Sequence, residues 1–150
     1  MKVVLQRVSK ASVAINHQEV ASIQGGLLMF LGIVAEDTQD DIDWLVRKVC
    51  NLRIFNDAEN IMNTSLVDCG GAALVVSQFT LHAATKKGNR PSYIKAAKPA
   101  VALPLYENFI ATLTSVLGKK VQTGVFGADM KVSLLNDGPI TLILDSKEKS

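Results

Sequence analysis

Two short apolar runs constrain the fold more than any other part of the sequence. Leu27–Val34 and Ala72–Val76 each follow a Gly-Gly pair and are apolar at nearly every position. Apolar runs of this length, bounded by glycine, are typical of strands buried inside a sheet. The sequence therefore predicts a central strand over the first run and a second buried strand from Ala72 to Leu81.

The remaining segments predict further strands and two main helices. Thr38 followed by Asp41 resembles a capping box with a shorter acid, and the apolar spacing after it predicts a helix from Gln39 to Asn51. A second helix begins near Pro99 and ends at Gly118, with an apolar stripe over Val101, Leu105, Phe109, Leu113, Val116 and Leu117. The other strands are expected at 2–8, 11–15, 20–23, 53–55, 121–125, 131–135 and 140–144.

Length and composition favour one domain over residues 1–150, since 48% of the residues are hydrophobic and only 20% are charged. We expect an α/β fold in which mixed, largely antiparallel sheets curl toward a barrel and about two main helices pack outside. No segment has 18 consecutive apolar residues and the first residues lack a signal-peptide pattern, so we expect a cytoplasmic protein with no membrane partner. Cys50 and Cys69 are isolated, which supports neither a disulfide framework nor a metal site.

The charge distribution is more informative than the net charge of +2. No Asp or Glu occurs from Cys69 through Tyr106, and that stretch contains Lys86, Lys87, Arg90, Lys95 and Lys98. Such a positive surface attracts a polyanion by counterion release. A solvated loop whose charges aid only solubility is an equally good interpretation of charge alone.

Polar residues follow the second apolar run, at Ser77-Gln78-Phe79-Thr80-Leu81. At the end of a strand, hydroxyl and amide side chains can face a cleft, and backbone N–H groups beyond the last ladder bond can be directed at an oxygen atom. Acyl-transfer sites are built in this way. The alternative is that Ser77, Gln78 and Thr80 only satisfy local backbone groups at the strand end.

Gly138-Pro139 is the second unusual position. The bond before proline has a trans preference of only about 0.5 to 1 kcal/mol, so a cis bond is accessible. Glycine also permits close approach of the backbone to a ligand. An ordinary turn before a strand is the alternative interpretation.

Several separated motifs together resemble the D-aminoacyl-tRNA deacylase family. They are Val3–Val8, Asn51–Phe55, Ser77–Leu81, Thr85–Tyr93, Thr123–Met130 and Asn136–Thr141, and they span essentially the whole chain. The chain departs from the family pattern at His82 and Ala84, and Asp57–Asn60 lacks the glycine that is usual in that turn. These departures flank the two signature motifs and leave them intact.

The resemblance implies a homodimer with active sites at the subunit interface. Ser77, Gln78, Phe79 and Thr80 of one subunit would meet Gly138 and Pro139 of the other. The implied reaction is hydrolysis of the ester between a D-amino acid and the 3′ end of tRNA, a chiral proofreading step in translation that needs no cofactor. A rigid main-chain wall, held by Arg7 and Gln78, would reject L-aminoacyl-tRNA and would accept glycyl-tRNA.

The resemblance also suggests how the tRNA is held. Phe126 and Met130 would contact the terminal adenine, although core packing is the competing interpretation, and Lys86, Lys87 and Arg90 would contact phosphates of the acceptor stem. Thr80 could be a nucleophile, with His82 proposed as its base. We prefer an account in which backbone N–H groups around Ser77 and Phe79 hold the ester oxygen, while water or the ribose 2′-OH takes part directly.

Two other functions fit the same residues. A hydrolase of small esters or free D-amino acid derivatives would use the same cleft, with the basic loop incidental. A non-catalytic dimeric RNA-binding module would bind tRNA at low salt without releasing the acyl group.

Overall fold

The computed structural model describes all residues from Met1 to Ser150 as an α/β fold. One six-stranded sheet and a separate two-stranded sheet are surrounded by three helices. The elements in chain order are β1 (Lys2–Ile15), β2 (Gln18–Ile23), β3 (Gly26–Gly32), α1 (Gln39–Asn51), β4 (Phe55–Asn56), β5 (Met62–Thr64), α2 (Leu66–Cys69), β6 (Ala72–Ser77), a 3-10 helix (Phe79–His82), α3 (Pro99–Leu117), β7 (Gln122–Thr123) and β8 (Lys131–Asp145).

The long strand β1 organises the main sheet. It pairs antiparallel with β3 along its first half, with β2 along its second half, and with β8 on its other edge over nearly its whole length. Strands β3, β6 and β7 are parallel to one another, and β7 also lies close to β2. The sheet is therefore nearly closed, and the prediction of a mixed, largely antiparallel, barrel-like sheet with two long outer helices is confirmed.

The strand β3 is buried on both faces, as the sequence predicts for a central strand. Leu27, Met29 and Leu31 pack in the larger core with α1 and α3, whereas Leu28 packs in a smaller core inside the curled sheet. Alternate side chains of one strand point to opposite faces, so two separate cores require an uninterrupted apolar run.

Several predicted strand boundaries are wrong, and three of these errors are large. The predicted strands at 2–8 and 11–15 form the single strand β1, and those at 131–135 and 140–144 form the single strand β8. The register between β1 and β8 is irregular near the polar residues that suggested breaks in the strands, and both strands continue past them. The strand expected to reach Leu81 ends at Ser77, because the chain then turns into the 3-10 helix.

The helix α1 has the predicted bounds, and α3 ends at Gly118 in the left-handed conformation, as predicted. The buried face of α3 differs from the predicted stripe: Ala102, Tyr106, Phe109 and Leu113 are buried, whereas Val101 and Val116 are exposed. The reason is that this face packs against α1, and apolar residues occur around the whole helix. By length and mean hydropathy (1.3) α3 could also cross a membrane, although in this fold it contributes to the core.

Candidate active site

The site at the end of β6 is built by a change of backbone direction. The N–H of Gln78 donates to the carbonyl of Leu31 at 2.8 Å and completes the ladder between β3 and β6. The 3-10 helix starts at the next residue, Phe79. Ser77 and Gln78 are consequently held at the rim of the sheet by β3, which is itself buried in the core.

The first turn of the 3-10 helix leaves N–H groups available for a ligand. The Gln78 side chain does not cap the backbone N–H groups of this turn; instead its amide donates to the side-chain hydroxyl of Thr80 at 2.5 Å. The N–H groups of Phe79 and Thr80 therefore have no capping acceptor. Paired backbone donors of this kind can stabilise the negative charge that develops on an ester oxygen.

Thr80 has no general base beside it. Its hydroxyl oxygen accepts from the Gln78 amide, which cannot take up a proton. His82 lies in the same 3-10 helix, but it is buried and its Nε2 has no hydrogen-bond partner, so it does not contact the Thr80 hydroxyl. The geometry supports electrostatic stabilisation at this site more than nucleophilic attack by Thr80.

A cleft of about 580 Å³ opens beside this turn. Ser77, Gln78 and Phe79 line it, together with Phe126 and Met130, and most of the other lining residues are apolar. A largely apolar cleft with a few polar groups at one side is the usual form of a small-ligand site. The volume is sufficient for one nucleoside with an attached amino acid.

Phe126 and Met130 line the cleft and also pack against the core. Phe126 joins the larger core, where its ring lies 5.5 Å from the ring of Tyr106, and Met130 joins the smaller one. The two sequence interpretations, adenine contact and core packing, are therefore compatible. Burial raises the pKa of the Tyr106 hydroxyl, with the Thr123 side chain partly offsetting the rise, so this phenol is neutral at physiological pH.

Gly138-Pro139 lies within β8, and its peptide bond is cis, the conformation that the sequence leaves accessible. Arg7 is 7% exposed and lies directly behind it. The Arg7 Nη1 donates to the carbonyl of Ile54 at 2.7 Å, and its Nε donates to the carbonyl of Asp137 at 3.1 Å. The arginine thus fixes the carbonyl that immediately precedes Gly138.

One chain does not bring the two signature segments together. Gly138-Pro139 lies beside Arg7 of β1, and Arg7 pairs with Leu27 of β3. Ser77 of β6 pairs with Leu31 of the same strand β3. Leu27 and Leu31 are four residues apart, so the two signature segments lie about 13 Å apart along the strand direction. Neither Gly138 nor Pro139 lines the cleft, so within one chain the two segments form separate features.

The comparison with known families decides the identity. The family model described as D-Tyr-tRNA(Tyr) deacylase matches residues 4–145. The chain belongs to this family. The predicted resemblance and the predicted enzyme class, D-aminoacyl-tRNA deacylase, are both confirmed.

Curated deacylases are similar to the chain over their full length. A D-aminoacyl-tRNA deacylase of Flavobacterium psychrophilum is 63% identical over 149 residues, and one of Flavobacterium johnsoniae is 60% identical, each match covering 99% of both chains. The corresponding protein of Bacteroides thetaiotaomicron is 59% identical with the same coverage.

Two solved structures share the deacylase fold. One, described as c-Myc DNA Unwinding Element Binding Protein, superposes with a TM-score of 0.92 at 38% identity and covers 97% of this chain and 98% of its own. The other, described as a probable eukaryotic D-amino acid tRNA deacylase, has a TM-score of 0.83 at 18% identity and covers 95% and 97%. The second similarity supports the fold alone.

The sequence analysis did not assign to the cleft of this deacylase two residues that line it, Tyr93 and Lys98. Both follow the conspicuous basic residues Lys86, Lys87 and Arg90, which are exposed and lie outside the cleft. The available signal was the isolated aromatic after Pro91-Ser92 and the lysine that immediately precedes α3.

Proposed function

We propose that the chain forms a homodimer that hydrolyses D-aminoacyl-tRNA and glycyl-tRNA, rejects L-aminoacyl-tRNA sterically, and acts as a chiral proofreading enzyme in the cytoplasm. The observation that carries this proposal is the pair of uncapped N–H groups at Phe79 and Thr80, of which Phe79 lines a nucleoside-sized cleft. An ester of an amino acid is already activated, so positioning and oxyanion stabilisation supply much of the acceleration. Water or the ribose 2′-OH then attacks the carbonyl.

The outer surface of β8 supports the dimer. This strand has 15 residues and pairs only with β1, so its other edge has no partner in the chain. Leu135 and Ile143 on this strand are 55% and 73% exposed. A long unpaired edge with exposed apolar side chains is unfavourable in water and favours contact with a second chain. Gly138-Pro139 lies on the same strand and would reach the cleft of the second subunit.

The selectivity follows from a wall of main chain. The carbonyl before Gly138 is held by Arg7, so this main-chain segment can present a fixed surface to the substrate. A rigid wall excludes the L side chain whatever its chemistry, because rejection needs only overlap of atoms. Glycine has no side chain to exclude, so glycyl-tRNA is a substrate in this proposal.

The basic loop would hold the acceptor stem. Lys86, Lys87 and Arg90 are exposed, and no acidic residue occurs between Cys69 and Tyr106. We expect Lys87→Ala to weaken tRNA binding equally for D-tyrosyl-tRNA and glycyl-tRNA, and to reduce the slope of log Kd against log salt by about 1. Kd measured at several salt concentrations checks this. Lys119→Ala, which removes a lysine outside the loop, is the control, and an equal change of slope there would contradict the assignment.

Thr80 has a positioning role in this proposal. Thr80→Ala removes the hydroxyl but leaves the backbone N–H of residue 80, so we expect kcat to fall by about tenfold or less. Single-turnover deacylation of D-tyrosyl-tRNA measures the effect, with Thr80→Ser as the variant that restores the hydroxyl. A loss of several powers of ten in Thr80→Ala, recovered in Thr80→Ser, would instead identify Thr80 as the nucleophile.

The whole proposal is tested by release of labelled amino acid from D-tyrosyl-, L-tyrosyl- and glycyl-tRNA, with a metal chelator present. We expect fast release from the D and glycyl esters and none above background from the L ester. Equal D and L rates would refute the steric filter. Release from small D-amino acid esters at the same rate as from tRNA would favour the small-ester hydrolase. Binding of tRNA with no release would favour the RNA-binding module.

A further inference from the structure

Two aromatic side chains are exposed together at the mouth of the cleft. The chain has five Phe, two Tyr and one Trp, and only Phe79 (55%) and Tyr93 (40%) are strongly exposed. Their rings contact each other edge to face, with centroids 5.0 Å apart, and both residues line the cleft. Exposed aromatic surface on a soluble protein usually marks an interaction site.

The aromatic pair is held in place by the backbone on both sides. Tyr93 follows a two-bond bridge between Ala84 and Ser92, with N···O distances of 2.8 and 3.0 Å, and its own carbonyl accepts from the N–H of Ala96. Phe79 is the first residue of the 3-10 helix, which is anchored to β3 through Gln78. A preformed site of this kind loses little conformational entropy when a ligand binds.

The surrounding charge favours a nucleic acid strand. Lys98 lines the same cleft, and the stretch from Cys69 to Tyr106 that contains the aromatic pair has basic residues and no acidic ones. The one carboxylate that lines the cleft, Asp129, is paired with Lys131 at 2.9 Å. Aromatic rings beside positive charge are the usual means of binding unpaired nucleotides, since every base has a π-face that can stack.

The exposed apolar side chains that support a subunit contact, Leu135 and Ile143, lie on β8 and do not line the cleft. The cleft floor at Phe126 and Met130 has room for one nucleoside. The exposed pair at its mouth is thus placed for the neighbouring nucleotide of the same strand.

We propose that the Phe79–Tyr93 pair stacks on the base of the penultimate nucleotide at the 3′ end of tRNA, next to the terminal adenosine in the cleft. This inference rests on the proposed function, because it assumes that the aminoacylated 3′ end occupies the cleft. It adds a recognition site that the ester chemistry does not need. The site makes the enzyme prefer a substrate with two ordered nucleotides over one with a single nucleoside.

The test uses two short substrates that differ only in the penultimate base. One is the dinucleotide CpA carrying D-tyrosine on its 3′ end, and the other has an abasic sugar in place of cytidine, so that the phosphate is retained. We expect the unmodified enzyme to prefer the first by about tenfold in kcat/KM, and Tyr93→Leu to reduce this preference to less than twofold. Tyr93→Phe should restore it, because the ring and not the hydroxyl is used. Val116→Ala, at an exposed site on α3, should keep the full preference.

Other outcomes would overturn the inference. Hydrolysis of both dinucleotides at equal rates by the unmodified enzyme would exclude a base contact, while leaving the proposed function intact. A changed subunit equilibrium in Tyr93→Leu, measured by sedimentation, together with an unchanged base preference, would assign the pair to a subunit contact. An effect of Tyr93→Leu that appears with D-tyrosine but not with D-alanine would assign it to the amino acid. Failure to hydrolyse either dinucleotide or D-tyrosyl-tRNA would refute the proposed function itself.

Discussion

Replacing Gly138 with alanine is expected to lower the rate of D-tyrosyl-tRNA hydrolysis by about a hundredfold without unfolding the chain. Gly138 has φ +128°, a conformation that side-chain-bearing residues rarely adopt. An added Cβ would lie 2.9 Å from Cγ1 of Ile140 and 3.2 Å from Nη2 of Arg7. The segment must shift to relieve these contacts, and a displacement of about 1 Å at a positioning element can cost a hundredfold in rate.

The control for this prediction is Gly118→Ala. Gly118 also has positive φ (+68°), but nothing lies within 4 Å of a Cβ there, so that variant isolates the backbone effect at a position outside the site. Single-turnover rates and urea unfolding are measured on both variants. We expect a larger loss of stability in Gly138→Ala than in Gly118→Ala, because only the former creates close contacts, and a loss of rate only in Gly138→Ala. Equal rates in the two variants would show that the Gly138 segment takes no part in the reaction.

The buried strands and long helices are the parts of the fold that local sequence predicts well. Leu27–Val34 is apolar on both faces, and its strand separates two cores. Thr38 and Asp41 also mark the start of α1 correctly, because the Asp41 carboxylate accepts from the N–H of Thr38 at 2.8 Å. Such signals depend on neighbours in sequence, so they can be recognised without tertiary contacts.

The prediction errors arise where contacts between residues far apart in sequence determine the structure. Val101 and Val116 have helical spacing, but the position of α1 selects Ala102 and Tyr106 for burial instead. The strand at β6 ends at Ser77 because the backbone of β3 ends its ladder there. Hydrophobic periodicity predicts neither the buried face of α3 nor the end of β6, since each is set by a partner far away in the chain.

The candidate site is likewise predictable from the sequence only in part. Ser77–Thr80 and Gly138-Pro139 are recognisable as unusual residues from the sequence, and the structure adds that Arg7 donates to the Asp137 carbonyl. The sequence does not indicate that the two segments lie about 13 Å apart along the sheet of one chain. The sequence also assigns Tyr93 no role, because its contact with Phe79 is visible only in the folded structure.

The second large effect is expected on stability, at a buried ion pair whose residues do not line the cleft. The amino group of Met1 lies 2.6 Å from Oδ1 of Asp37, and both groups are fully buried. The other oxygen, Oδ2, accepts from the N–H of Val34 at 2.8 Å. Lys147 lies 3.7 Å from Asp37 but only 2.9 Å from Asp41, so the Met1 amine is the main cationic partner of Asp37.

Asp37→Asn is therefore expected to lower the free energy of unfolding by about 3 kcal/mol, because it leaves a buried ammonium group without its counter-charge. Asp129→Asn is the matched control: it removes a carboxylate paired with Lys131 where both side chains are more than three-quarters exposed, and we expect no measurable change. Urea unfolding at one fixed protein concentration measures both variants, since dimerisation would add a concentration term. Equal stability of the two variants would mean that Ser146, which accepts from the same amine at 3.0 Å, compensates for the lost charge.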